Sequence, residues 1–222
     1  MEAYALTDVG QKRSMNQDSV YARTKSIGSL ENLFIVADGM GGHQAGDFAS
    51  NFVVENLVRF FETPYPERDV HGILKEGIRK VNRDLYECTS RDPKLNGAGS
   101  TLVLATIKGS VLYVANIGDS RLYLLREALE QITKDHSYVE ELVAMGKLKR
   151  GSRDYLEKKN IITRAVGVSA QVDTDLFALK LKSGDQILMC SDGLSNMVDE
   201  LEIEYIIRSE DGVESRAKAL VD

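Results

Sequence analysis

The sequence is poor in cysteine, with only Cys88 and Cys190 among 222 residues. Two cysteines do not make a disulfide framework, so a stapled secreted scaffold is excluded and a cytoplasmic location is expected. Long apolar runs are absent as well, which leaves nothing near the roughly 20 residues that a membrane span requires. The opening residues Met1-Glu2-Ala3-Tyr4 carry neither a basic start nor an apolar signal core, so secretion is not indicated. Positive charge is in short supply. With 28 Lys and Arg against 34 Asp and Glu, the net charge is −6, which argues against a nucleic-acid partner. No internal repeat or low-complexity tract divides the chain. What remains is a composition typical of a globular protein, long enough for one domain with a sizeable core.

The hydrophobic pattern predicts mixed α and β structure. Ala3–Thr7 and Ser19–Arg23 alternate weakly and read as strands on either side of a polar connector. Leu33–Ala37 is a short apolar run that reads as a buried strand. Apolar residues at helical spacing predict a helix over Asp47–Phe61 and another over Asp69–Cys88, both packed on one sheet face. Thr101–Ile107, Val111–Ile117 and Arg121–Leu125 follow as strands with very short connections, which predicts antiparallel hairpins. Ser137-Tyr138-Val139-Glu140 is a capping box that opens a short helix stopped at Gly146. Lys147–Lys159 is charged and aperiodic and reads as a mobile surface segment. Strands Leu176–Leu181 and Gln186–Cys190 precede two final helical patterns, Glu200–Ile207 and Glu214–Val221.

Three of these strands end alike. Phe34-Ile35-Val36-Ala37 runs into Asp38-Gly39, Tyr113–Ile117 into Gly118-Asp119, and Ile187–Cys190 into Ser191-Asp192-Gly193. Brought together, the three carboxylates would repel one another unless a cation neutralised them. Hard oxygen donors, with no paired His or Cys, point to Mg²⁺ or Mn²⁺ rather than zinc. A two-metal carboxylate site suits hydrolysis of a phosphate ester, because the cations activate water and clamp the phosphoryl oxygens. Arg13 is the candidate for gripping the phosphate. His43, five residues after Asp38, is the candidate proton donor to the leaving alkoxide.

Taken together, these motifs resemble those of the metal-dependent Ser/Thr protein phosphatases, the PPM or type 2C family, in their bacterial form. The resemblance rests on Arg13-x-x-Asn16-Gln17-Asp18, on Ala37-Asp38-Gly39-Met40-Gly41-Gly42-His43-x-x-Gly46, and on five later motifs in the same order. Those are Gly99-Ser100-Thr101, Asn116–Arg121, Thr133–Ser137, Asn160–Gly167 and Cys190–Leu194. The fold it implies is α+β, a four-layer α/β/β/α sandwich of two antiparallel sheets flanked by helices. It also implies a binuclear Mn²⁺ or Mg²⁺ centre with a weaker third site. Asp38 would bridge the pair, with the Gly39 carbonyl on one ion and Asp192 on the other. Asp18 would act through water, and Asp119 with Asp192 would hold the third ion. Arg13 would bind substrate phosphate, and His43 would serve as general acid.

The implied function is hydrolysis of phosphoserine and phosphothreonine on proteins, without a phosphoenzyme, opposing bacterial Ser/Thr kinases. The expected protein is a cytoplasmic monomer with no nucleic-acid or membrane partner. Residues 1–222 read as one such domain without the Gly-Gly-x-Asp-Asn-Ile-Thr motif and final strand with which the family usually closes. That departure keeps a second reading open, a catalytically weakened member that binds phosphoproteins as a regulator.

Overall fold

The computed structural model describes residues 1–11, 13–42, 44–66, 69–209 and 212–222. Strand β1, Asp18–Arg23, is followed by β2, Leu33–Met40. Helices α1, Gln44–Glu62, and α2, Val70–Arg91, come next. The chain then forms β3, Gly99–Ser100, β4, Leu102–Lys108, and β5, Val111–Ile117. Strands β6, Arg121–Leu125, and β7, Leu129–Gln131, precede two short helices, α3, Tyr138–Ala144, and α4, Arg153–Lys158. Strands β8, Asp175–Lys180, and β9, Gln186–Cys190, lead into helices α5, Asp192–Ser195, α6, Glu200–Ile207, and α7, Val213–Val221.

The strands form two antiparallel sheets. One has the order β1-β2-β4-β5-β8, with β3 also pairing with β2, and the other has the order β7-β6-β9. Alternation along β2 shows why layers form on both faces. Leu33, Ile35 and Ala37 join the core beneath α1 and α2, together with Val53, Leu57, Leu74 and Ile78. Phe34 and Val36 point the other way, into a core between the sheets built from Val103, Leu112, Val114, Leu122 and Met189. The period of two fixes both assignments at once. A third core places Leu125 and Leu188 against Ile203, Ile207 and Leu220 of α6 and α7. The order of layers is therefore helix, sheet, sheet, helix, the expected α+β sandwich.

Several sequence expectations are corrected. Ala3–Thr7 is not a strand. Tyr4 and Leu6 are exposed, and among the described residues no strand pairs with this segment, so its weak alternation has no ladder to join. Helix α1 begins at Gln44, and α2 continues to Arg91, beyond the predicted bounds. β4 and β5 do form the expected hairpin, from Leu102 opposite Ile117 to Lys108 opposite Val111. β5 and β6 do not, because Gly118-Asp119-Ser120 carries the chain from one sheet to the other. Gly118 turns there with φ of 100°, and a β-carbon on it would lie 2.7 Å from Thr101 Cγ2.

Residues 147–159 are also more ordered than their composition suggests. Ser152 caps α4 by accepting the Tyr155 amide, and Arg153 pairs with Glu157 one turn on. Arg150 binds Glu140 of α3 through two guanidinium nitrogens, and the Tyr155 hydroxyl donates to the same carboxylate at 2.7 Å. Local caps and ion pairs thus order a segment that has no apolar period.

The crossing at Gly118 generates a test. A side chain there must enter a backbone region that costs L-residues about 1–2 kcal/mol, and must also displace Thr101. Gly118→Ala is expected to lower stability by at least that amount, measured by urea unfolding. An unchanged midpoint and slope would show that the crossing tolerates a side chain.

Candidate metal centre and active site

The sheets bring four carboxylates close enough to act on one another's charge. Asp18 and Asp38 are direct cross-strand partners in the β1–β2 ladder, a pairing the sequence reading did not see. Asp192 arrives from the end of β9 as the first residue of α5, and Asp119 from the crossing after β5. The Ser191 hydroxyl donates to Asp18 Oδ2 at 2.6 Å, tying the β9 end to the β1 start across the sheets. Asn196 Nδ2 donates to Asp192 Oδ2 at 3.0 Å from one turn further along.

The backbone around Asp38 is held on three sides. Its amide donates to Thr101 Oγ1 at 2.9 Å, and its carbonyl accepts from the Thr101 amide at 2.9 Å and the Ser100 hydroxyl at 3.1 Å. Thr101 Oγ1 lies 2.8 Å from Ser120 Oγ, which links this clamp to the residue after Asp119. The next residue, Gly39, donates its amide to the Gln17 carbonyl at 2.9 Å. A β-carbon on Gly39 would sit 1.9 Å from the Gly46 carbonyl oxygen, and one on Gly46 would come within 2.7 Å of the Gly39 carbonyl oxygen. Both glycines are therefore required by close packing of the turn on the first turn of α1. This is the physical content of the spacing Asp-Gly-x-Gly-Gly-x-x-x-Gly.

The electrostatics follow from the convergence. Burial, and then the charges of Asp18, Asp192 and Asp119, push the Asp38 carboxyl up to about 9. Burial, Asp192 and Asp135 push Asp119 up to about 7. Asp18 is also raised, mainly by burial, although Ser191 and Asp38 hydrogen-bond to it. Asp38 lies within hydrogen-bonding reach of both Asp18 and Asp192, so it is the acid that keeps a proton when no cation is near.

This donor set fits divalent cations that prefer oxygen. Asp18, Asp38, Asp119, Asp192 and the Gly39 carbonyl are the groups that could hold them. Among the described residues, no three or more His, Cys, Asp or Glu side chains form a group that could hold a metal ion. Water and backbone oxygen would therefore have to complete each coordination shell, as is usual for Mg²⁺.

Arg13 stands exposed at the rim, 3.5 Å from Gln17 Oε1, with its positive charge acting on Asp18. The expected proton donor, His43, lies outside the described residues. A second layer, for which the sequence suggested no role, supports Asp119. The Gly118 amide donates to His136 Nδ1 at 3.0 Å, and the His136 amide donates back to the Gly118 carbonyl at 3.0 Å. Arg121 forms a bidentate pair with Asp135 at 3.0 and 2.6 Å. The motif Thr133–Ser137 was visible, but its partners were not, because they lie on other strands. Beside Asp119 and Asp192 opens a cavity of about 170 Å³, walled on its far side by Tyr155, Lys159 and Asn160.

The raised carboxyls set a pH signature. In the metal-free protein the folded state retains protons that the unfolded chain has already lost above about pH 4. Stability should therefore fall as pH rises from about 5 through 7 to 9, the range over which Asp119 and Asp38 ionise. Cation binding replaces those protons. Thermal midpoints are expected to decline across pH 5–9 in chelator, and to decline less or rise in excess Mn²⁺. Parallel curves with and without Mn²⁺ would show that the carboxylates are not the cation site.

Comparison with known proteins supports the fold and identifies the family. The profile of the family described as "Protein phosphatase 2C" matches residues 9–211. The chain is similar to the serine/threonine phosphatase stp of Listeria monocytogenes, with 37% identity over 100% of this chain and 88% of that protein. It is also similar to the crystal structure of serine/threonine phosphatase Stp1 from Staphylococcus aureus. That match has a TM-score of 0.88 and 33% identity, covering 97% of this chain and 85% of the other. A third similar structure is the catalytic domain of the phosphatase PstP in complex with two manganese ions. Its TM-score is 0.81 with 35% identity, over 96% of this chain and 86% of that one. Nothing in these comparisons favours a purely regulatory relative. Four carboxylates converge where two sheets meet, the layers follow the expected order, and both sequence and fold match along nearly the whole chain: this protein belongs to the protein phosphatase 2C family.

Proposed function

We propose that this protein hydrolyses phosphoserine and phosphothreonine on proteins by direct attack of water at phosphorus, at the carboxylate cluster of Asp18, Asp38, Asp119 and Asp192. The observation that carries the reading is that cluster, with Asp38 pushed up to about 9 by burial and by its neighbours. The protein is a protein-serine/threonine phosphatase and depends on divalent metal. Support for the metal comes from the oxygen donor set and from the similarity to PstP, whose structure contains two manganese ions.

Each residue has a proposed part. Asp38, the Gly39 carbonyl and Asp192 would hold a pair of Mn²⁺ or Mg²⁺ ions. Asp18 would contribute through water, and Asp119 with Asp192 would hold a weaker third ion. When bound, the cations lower the pKa of water and draw charge from the phosphoryl oxygens. Arg13 grips two phosphate oxygens and orients the phosphorus toward the cluster. His43 donates the proton to the departing serine or threonine oxygen as the P–O bond breaks. No nucleophilic side chain is needed. Cys190 is buried and its thiol is pushed up to about 12, which suits a core residue.

The substrates are phosphoproteins. Targets and partners of Ser/Thr kinases, a cytoplasmic location and a monomeric state belong to the same proposal. So does a single domain over residues 1–222. Among the described residues, no helix is long and apolar enough to cross a membrane.

The test is turnover of a phosphothreonine peptide, with phosphate release measured against Mn²⁺ concentration and then with chelator. Activity that rises with Mn²⁺ and is lost in chelator is expected, and chelator-resistant turnover would contradict the mechanism. Arg13→Ala should lower kcat/KM by about ten- to a hundredfold while leaving Mn²⁺ affinity nearly unchanged, because Arg13 contacts phosphate rather than cation. A variant with wild-type kcat and KM would make Arg13 a solvated rim charge.

A further inference from the structure

We propose that a groove along the exposed face of α1, beginning beside the carboxylate cluster, receives an extended segment of the substrate protein that carries Lys or Arg. This rests on the phosphatase reading and adds to it a substrate class.

The groove encloses about 540 Å³. It is lined by the half-buried Phe48, Phe52 and Leu95, by the exposed Met15, and by the acids Asp47 and Glu55. Phe48, Phe52 and Leu95 rest against the main core, so this lining is fixed by packing. The two rings lie 5.7 Å apart and tilted by 44°, and both line the groove. Asn51 lies between the two acids and holds Asp47 through its side-chain amide at 2.8 Å.

The groove is placed to continue the active site. Met15 stands between Arg13 and Asp18 in the chain. Gln44, also on the lining, opens α1 directly after the turn that follows Asp38. From Gln44 to Glu55 the helix rises about 16 Å. An extended chain covers that distance in about five residues. A substrate whose phosphate is held by Arg13 therefore has room for about five residues along α1.

Charge and surface chemistry identify the occupant. Among the described residues, no Lys, Arg or His lines the groove, while two carboxylates do. Arg59 is the first cation along that stripe of α1 and lies one turn beyond Glu55. An aromatic lining beside acids suits a long aliphatic stem with a cationic head. The stem packs on the rings, the head reaches a carboxylate, and a guanidinium gains further from the ring faces. An acidic segment would meet the like charges of Asp47 and Glu55.

The experiment compares two phosphothreonine peptides with Mn²⁺. They are identical except that the residues flanking the phosphothreonine carry Arg in one and Glu in the other. The wild-type protein is expected to favour the Arg peptide about fivefold or more in kcat/KM, mainly through KM. Glu55→Lys and Asn51→Lys, both at exposed positions, should each erase or invert that ratio. Equal kcat/KM for the two peptides in the wild type, or a ratio unchanged in both variants, would overturn the groove while leaving the phosphatase reading intact. No turnover of either peptide would overturn the phosphatase reading, and the groove with it.

Discussion

The structure depends on holding like charges together. Asp18, Asp38, Asp119 and Asp192 meet where the ends of β1, β2, β5 and β9 converge, and burial raises three of them, Asp38 and Asp119 well above the ordinary carboxylate range. A fold that relied on this cluster for its own stability would be poorly built. The hydrophobic layers on either side supply the stability, and the clamp of Ser100, Thr101 and Ser120 fixes the backbone that carries the charge. The strain is electrostatic and sits where a cation relieves it. This is the usual arrangement of a site prepared to bind something of opposite charge.

The two-sheet construction explains why the acids are far apart in sequence. β2 and β5 belong to the larger sheet and β9 to the smaller, so Asp38, Asp119 and Asp192 can meet only where the sheets face each other. Gly118 makes the crossing from one sheet to the other, and His136 braces it from the following loop. Ser191 then closes the gap by binding Asp18. The position of the charge is thus a property of tertiary structure, although each carboxylate is presented by a simple local device, a strand that ends in Asp beside Gly.

That division also explains what could be read in advance. Asp38, Asp119 and Asp192 were legible because each closes an apolar strand, and apolar strands announce themselves by pattern. The helices over α1 and α2 were legible for the same reason. The pairing of Asp18 with Asp38 was not, because register depends on which strands meet and no local signal encodes it. The supposed hairpin between β5 and β6 failed on the same point, since a short connection fits either a hairpin or a crossing between sheets. Ala3–Thr7 failed because weak alternation has meaning only beside a partner strand. The segment holding α4 was hidden because its order comes from Ser152, Arg150 and Glu140 rather than from hydrophobic period.

The central claim is that the buried carboxylates exist to hold the cations that drive phosphate-ester hydrolysis, with Asp38 at the centre. The most direct measurement is a paired titration of Asp38→Asn and the wild type with Mn²⁺, following bound metal and phosphopeptide turnover in the same samples. The substitution keeps the volume and removes the charge, so the fold should persist. The wild type should bind Mn²⁺ and gain turnover in step with occupancy, whereas Asp38→Asn should lose most of its Mn²⁺ affinity and nearly all turnover. Wild-type turnover in Asp38→Asn at saturating Mn²⁺ would contradict the account.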